Sequence, residues 1–171
     1  MAATTASPIS IEEYLKTSTD PDCEYVAGVL EERAAGELDH ASWQKALLRW
    51  FVGHEPEWGI RAYPELRVQT SVDKFCVPDL TLLSRSAPRE QIITHPPLAV
   101  FEILSPEDTM TRTLEKLADF ERMGIGAIWL IEPKKQLYYQ YRDGQLSLGT
   151  VFELPDSTFS VQFAEIAALV D

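Results

Sequence analysis

The sequence has no asparagine, and only two cysteines in 171 residues. Without asparagine there is no N-glycosylation sequon. Cys23 and Cys76 lie too far apart for a CxxC metal knuckle, and two thiols make no disulfide framework. His40, His54 and His95 form no zinc spacing with them. No apolar run approaches the ~20 residues of a membrane span. Residues 1–8 lack a basic segment followed by an apolar one, so no secretory signal is expected there. GxxxxGK[ST] and GxSxG are missing, which excludes a P-loop and a nucleophile elbow. Gly124-Ile125-Gly126 follows a predicted helix and precedes a predicted strand, the wrong order for a dinucleotide fingerprint. Positive charge is also scarce: 15 Lys and Arg stand against 27 Asp and Glu, a formal net charge of −12. Coating nucleic acid by bulk electrostatics is therefore disfavoured, whereas a local basic patch, or a cation set between acids and phosphate, is not.

What is present reads as one globular domain over residues 1–171, with 1–8 flexible and a cytoplasmic setting expected. Ser10 and Glu13 fit a capping box at the start of a short helix to about Lys16. Residues 17–22 read as a turn, and 24–31 as two strands turning at Gly28. Asp39 is the expected N-cap of a helix over 40–52. Its stripe of Trp43, Ala46, Leu47, Trp50 and Phe51 is amphipathic, and Gly53 is the expected stop. Strands are predicted over 60–70, 75–83 and 98–104, followed by a helix over 109–123 and a strand over 127–131. That last helix reads as a right-handed crossover. Asp143-Gly144 marks a hairpin between 136–142 and 145–153. A strand over 158–163 and a terminal helix over 164–170 follow. Cys76, Trp43, Trp50 and Trp129 read as core, and Trp58 as exposed. Leu137-Tyr138-Tyr139 is a candidate interface for a second copy.

The chemistry is carried by acids inside apolar strands. Asp79 interrupts 77–83 and Glu102 interrupts 99–104. Ionised carboxylates are rarely buried without a partner or a metal. Each alone reads as a strand-end acid or an Arg partner. Two in neighbouring strands point to a shared divalent cation, and hard oxygen ligands suit Mg²⁺ or Mn²⁺. Lys116 lies on the helix that follows Glu102's strand. If that helix packs back on the sheet, its ammonium reaches the mouth between the two acids, where it can orient a water and steady charge on a phosphate. The plain alternative is a surface lysine pairing with Glu115 or Asp119.

Val77-Pro78-Asp79, Phe101-Glu102-Ile103-Leu104-Ser105-Pro106, Glu115-Lys116 with Phe120 and Gly124, and Trp129-Leu130-Ile131-Glu132-Pro133 together resemble the Uma family of restriction endonucleases, in the PD-(D/E)xK nuclease superfamily. Residues 24–30 and His40 match in order and spacing, so the resemblance spans about Ile9 to Leu169. It implies an α/β restriction-endonuclease-like fold: a mixed β-sheet flanked by helices, with additional C-terminal hairpin strands. It also implies Mg²⁺-dependent hydrolysis of DNA phosphodiesters. Asp79, Glu102 and the backbone carbonyl of Ile103 would hold the metal. Lys116 would be the motif lysine moved onto the helix, since the simplest motif position is Leu104. Glu24 and Glu65 are both candidates for an additional acid near the metal, and His40 is a candidate for contact with the site or substrate. Arg112, Phe120 and Ala127-Ile128 stand where the family often has an acid, a tyrosine and an acid.

Under this reading Arg67, Lys74, Arg85, Arg89 and Arg112 would meet the DNA backbone. A homodimer would supply two sites for the two strands of a duplex. The rival readings are a catalytically silent nuclease fold that binds DNA or a partner protein, and a phosphodiesterase or RNase using the same site.

Overall fold

The computed structural model describes residues 8–17, 23–33 and 36–170. The sequence expectations for residues 1–7 and 18–22 fall outside them. A short helix, α1 (Ile11–Lys16), opens the described chain, with the Ser10 hydroxyl accepting the Glu13 N–H at 3.1 Å. The hairpin β1 (Cys23–Val26) and β2 (Val29–Glu32) follows. It turns on Ala27 and Gly28, both at positive φ, the backbone of a tight primed turn. Next come α2 (Leu38–Trp58), β3 (Ile60–Pro64), β4 (Val68–Ser71), β5 (Lys74–Cys76), β6 (Leu80–Ser84) and β7 (Ala99–Ile103). The chain continues as α3 (Met110–Met123), β8 (Ala127–Glu132), β9 (Leu137–Arg142), β10 (Gln145–Leu148), β11 (Val151–Glu153), β12 (Ser160–Gln162) and α4 (Phe163–Ala167).

The large sheet has the order β10-β9-β8-β7-β6-β3 and the small one β2-β1-β5-β4; β11 and β12 pair separately. Only β7 and β8 pair in parallel within the large sheet, and α3 is the crossover that joins them. Strand alternation decides which helix each side chain meets. Ala99, Phe101 and Ile103 enter the core beneath Trp43, Leu47 and Phe51 of α2. Val100 enters the opposite core with Leu117 and Phe120 of α3. Glu102 shares the parity of Val100, so it faces α3. The mixed sheet flanked by helices, with strands at its C-terminal end, is the architecture expected.

Several boundaries differ. The second helix does not stop at Gly53; it runs through Pro56 to Trp58 and ends on Gly59 at φ 64°. Its N-cap is Glu37, not Asp39. Trp58 is buried, stacked on Phe159 at 5.2 Å, and Trp50 is only half-buried. The strands expected over 60–70 and 75–83 each divide in two. One divides at Pro64 and Glu65, where Glu65 takes φ 51°; the other divides at Pro78. Proline has no N–H for a ladder. At both breaks the chain changes sheets, so Val77-Pro78-Asp79 lies on the seam between them. The 145–153 strand also divides, into β10 and β11. The Leu137–Tyr139 segment is used internally: β9 is flanked by β8 and β10, and Tyr138 stacks on Phe163 at 4.4 Å. Tyr138 is buried there, whereas Leu137 and Tyr139 are part-exposed.

Candidate active site

The seam gathers its polar groups by register. Leu80 pairs with Phe101 across the antiparallel β6–β7 ladder, and one step further along sets Asp79 opposite Glu102. Asp79 Oδ2 accepts the Ile103 N–H at 2.7 Å and lies 3.2 Å from His40 Nε2. Its Oδ1 accepts from Arg33 Nη2 at 3.1 Å, and its backbone carbonyl accepts from Gln44 Nε2 at 3.1 Å. Tyr25 of β1 pairs with Phe75 of β5, which carries Glu24 to the seam. There Glu24 Oε1 accepts the Val77 N–H at 2.8 Å.

Lys116 closes the arrangement from α3. Its ammonium lies 2.7 Å from Glu24 Oε1 and donates to Glu102 Oε2 at 2.9 Å and the Val77 carbonyl at 3.1 Å. The alternative pairing with Asp119 is not formed, because Asp119 engages Lys74 and Arg122. These groups line a cleft of about 420 Å³, with Arg112 and Glu65 also on its wall.

Burial sets the protonation states. It pushes the Glu102 carboxyl up to about 8, with Lys116 pulling the other way and the charges of Asp79 and Glu24 adding to the rise. Burial also opposes charge on Asp79, but His40, Lys116 and the Ile103 N–H together hold its carboxyl below the ordinary range. Glu24 is likewise held low, chiefly by Lys116 against the cost of burial. Burial disfavours charge on Lys116, yet Glu102, Glu24 and Asp79 keep it an ammonium well above its ordinary range. His40 is raised because Asp79 outweighs desolvation. The environments of Asp79 and Glu102 thus push their two pKa values apart.

The donor set fits a hard divalent cation. Glu102 Oε1 is buried and has no hydrogen-bond partner among the described residues. An orphaned buried oxygen of this kind costs about 1–3 kcal/mol or more unless something occupies it. Among the described residues no three His, Cys, Asp or Glu side chains form a ready metal cage. Mg²⁺ does not require one, since it is usually held by one or two carboxylates with water and substrate oxygens completing the shell.

The expected site residues divide as follows. Asp79, Glu102, Ile103, Lys116, Glu24 and His40 come together. Glu65 stands at the rim, half exposed, 3.5 Å from Arg33 Nη1. Of the five basic residues expected to meet DNA, Arg112 lines the cleft and pairs with Glu31 at 3.1 Å. Lys74 is bound to Asp119, Arg67 lies over the Tyr14 ring, and Arg85 and Arg89 are exposed on the 84–98 connection. Sequence reasoning missed Arg33 and Gln44. Gln44 was reachable, since it sits one turn after His40 on the same helix face. Arg33, at the end of the run Glu31-Glu32-Arg33, carries no local signal of its role.

No curated protein matches the chain. It resembles a crystal structure described as "a putative nuclease belonging to DUF820 from Anabaena variabilis", with a TM-score of 0.81 and 25% identity over 95% of this chain and 99% of that one. A cryo-EM DrdV–DNA complex aligns with 76% of this chain and 11% of its own at 19% identity, with a TM-score of 0.42, too low to argue from. No helix among the described residues is long and apolar enough to cross a membrane. The Uma2 family, described as "Putative restriction endonuclease", matches residues 11–166. That span contains every side chain of the cleft, and the chain belongs to the Uma2 family.

Proposed function

We propose that this chain is a divalent-metal-dependent endonuclease that hydrolyses DNA phosphodiester bonds. The observation that carries the reading is the pairing of buried Asp79 with part-buried Glu102, whose Oε1 is buried and has no hydrogen-bond partner among the described residues, on the floor of a charged cleft. Asp79, Glu102 and the Ile103 carbonyl would hold Mg²⁺, with Mn²⁺ as a substitute. When bound, the metal supplies Lewis-acid polarisation of the scissile phosphate.

The protein's own groups position and neutralise. His40 and the Ile103 N–H fix the Asp79 carboxylate. Glu24 anchors Lys116 from the buried side, and Lys116 fixes Glu102 by its Oε2, leaving Oε1 for the metal. As an ammonium, Lys116 is a hydrogen-bond donor and not a base. Its three N–H bonds are taken by Glu24, Glu102 and Val77, so presenting the attacking water requires exchanging one of them. The Val77 carbonyl, at 3.1 Å the longest of the three, is the one to yield. The same positive charge then steadies the negative charge growing on the phosphate. Cutting both strands of a duplex calls for two such sites, and pairing of two copies would provide them.

Purified protein incubated with supercoiled plasmid in Mg²⁺, Mn²⁺ or EDTA tests the reading. Nicking with either metal and none in EDTA is expected. A silent binding module is the second reading, favoured by Arg33, His40 and Lys116 already pairing with the two acids Asp79 and Glu102. It would give no nicking and no rise in melting temperature with Mn²⁺.

Protonation of Glu102 makes a pH prediction. Metal and proton compete for this carboxylate, so Mn²⁺ affinity rises with pH, by about tenfold per unit below pH 8. The metal-free protein shows the opposite trend. Glu102's folded pKa lies above its ordinary value of 4.5, so the folded state holds more protons between about 4.5 and 8. This group's contribution to stability therefore falls as pH rises through that window. Calorimetric Mn²⁺ titrations at pH 6, 7 and 8, with thermal melts in EDTA at the same pH values, check both signs. Affinity independent of pH would exclude Glu102 as a ligand that must lose a proton.

A further inference from the structure

Arg33 is a cleft residue to which the proposed chemistry gives no task, and its position is specific. Its side chain is largely buried on the cleft wall. One terminal nitrogen donates to Asp79 Oδ1 at 3.1 Å, and the other lies 3.5 Å from Glu65 Oε1. The two carboxylates differ in setting: Asp79 is buried, whereas Glu65 is half exposed at the rim. The guanidinium therefore bridges the floor of the cleft and its mouth.

Asp79 Oδ2 is already committed to the Ile103 N–H and His40, and Oδ1 is the oxygen that Arg33 holds. A divalent cation shared by Asp79 and Glu102 must take an oxygen that Arg33 holds, or sit beside its positive charge. Charges at this range interact strongly in a partly buried cleft. Resting on the proposed nuclease function, we propose that Arg33 is a placeholder cation. It neutralises Asp79 until a divalent metal arrives. It then yields Oδ1, stays tethered to Glu65 and presents its planar donor fork to the phosphate of the substrate.

The charge balance has the same sign. Seven acids line the cleft against Arg33, Arg112, Lys116 and, when protonated, His40, so three or four negative charges are in surplus when the acids are ionised, and a divalent cation is favoured there. A guanidinium also suits the second half of the role, since its fork binds phosphate oxygens in pairs and remains charged at any working pH. Under this assignment Glu65 is the anchor of Arg33 and not a metal ligand.

Titration calorimetry with Mn²⁺ alone, on wild type, Arg33→Gln, Arg33→Lys and Glu65→Gln, tests the proposal. A like charge at a few ångströms shifts a proton equilibrium by about one to three units, and the same repulsion acts on a metal. Arg33→Gln is therefore expected to tighten Mn²⁺ at least about tenfold, and Arg33→Lys to change it less. Glu65→Gln should leave the metal stoichiometry intact. In saturating Mn²⁺, Arg33→Gln should raise the half-saturating plasmid concentration for nicking more than it lowers the maximal rate. A residue that only supports the fold would weaken metal binding on removal, so tighter binding is the discriminating sign. Unchanged or weaker Mn²⁺ binding in a normally melting Arg33→Gln protein overturns the placeholder role while leaving the nuclease reading intact. Failure of wild type and every variant to bind Mn²⁺ overturns both.

Discussion

Replacing Asp79 with alanine is expected to lower metal-dependent plasmid nicking by about 10³-fold or more, because Lewis-acid stabilisation is worth several kcal/mol and each ~1.4 kcal/mol is tenfold in rate. The loss has two physical parts. The metal loses one of its two carboxylates, and the Ile103 N–H, His40 and Arg33 lose their shared acceptor. The second part threatens the fold as well as the site, since leaving a buried charge unpaired costs about 3–5 kcal/mol. The cost here falls below that range, because His40 can give up its proton and Arg33 can turn wholly to Glu65. Asp79→Asn separates the two parts. It keeps the volume and one acceptor oxygen but removes the charge, so its melting temperature should lie between those of wild type and the alanine variant while its nicking stays near that of the alanine variant. Glu102→Gln should behave alike in nicking, yet it should melt at or above the wild-type temperature at pH 8, because the wild-type carboxyl is strained towards its neutral form there. Nicking by either amide variant at the wild-type rate would remove the metal pair from the mechanism.

Much of this site was legible because strand alternation and helical register are local. Glu102 stands out of an apolar run with one possible face, and the crossover helix after it has one apolar stripe, Leu117 and Phe120, to lay on the sheet. Lys116 lies beside that stripe, so its approach to Glu102 follows from two periodicities. The second helix was misread for an opposite reason. Gly53 costs a helix about 1 kcal/mol relative to alanine. The next turn regains it by placing His54 on Trp50 at 3.9 Å and Trp58 against Trp50 and Phe51. Aromatic packing outweighed a local breaker. The choice between Glu24 and Glu65 depended on how β1 docks on β5, a pairing 50 residues apart in register, which no local pattern encodes. Glu24 arrived inside the seam and Glu65 at its rim. Arg33 owes its place to the same docking, so nothing in its own neighbourhood announced it.

Lys116→Met should cost the metal-free protein about 3–5 kcal/mol of stability, the price of removing one member of a buried ionic cluster. Methionine keeps much of the stem's volume, so the loss measures charge and not packing. Without the ammonium, Glu24 and Glu102 face each other's charge near the Val77 carbonyl with no cation between them. Both can escape by taking protons, and Glu102 is already inclined to. Protonation softens the penalty at low pH, so the deficit should be smaller at pH 6 than at pH 8. The sign follows from Lys116's action on wild type: it lowers both carboxyl pKa values, and losing it widens the window in which the folded state binds extra protons. A divalent metal replaces the missing positive charge, so Mg²⁺ should restore more stability to Lys116→Met than it adds to wild type. Nicking should nevertheless fall by about 10²–10³-fold, because the metal cannot also supply the hydrogen-bond donor aimed at the developing charge. Urea unfolding at pH 6 and 8, in EDTA and in Mg²⁺, reads the stability terms. Equal stability of variant and wild type at both pH values would show that Lys116 carries no charge in the cleft.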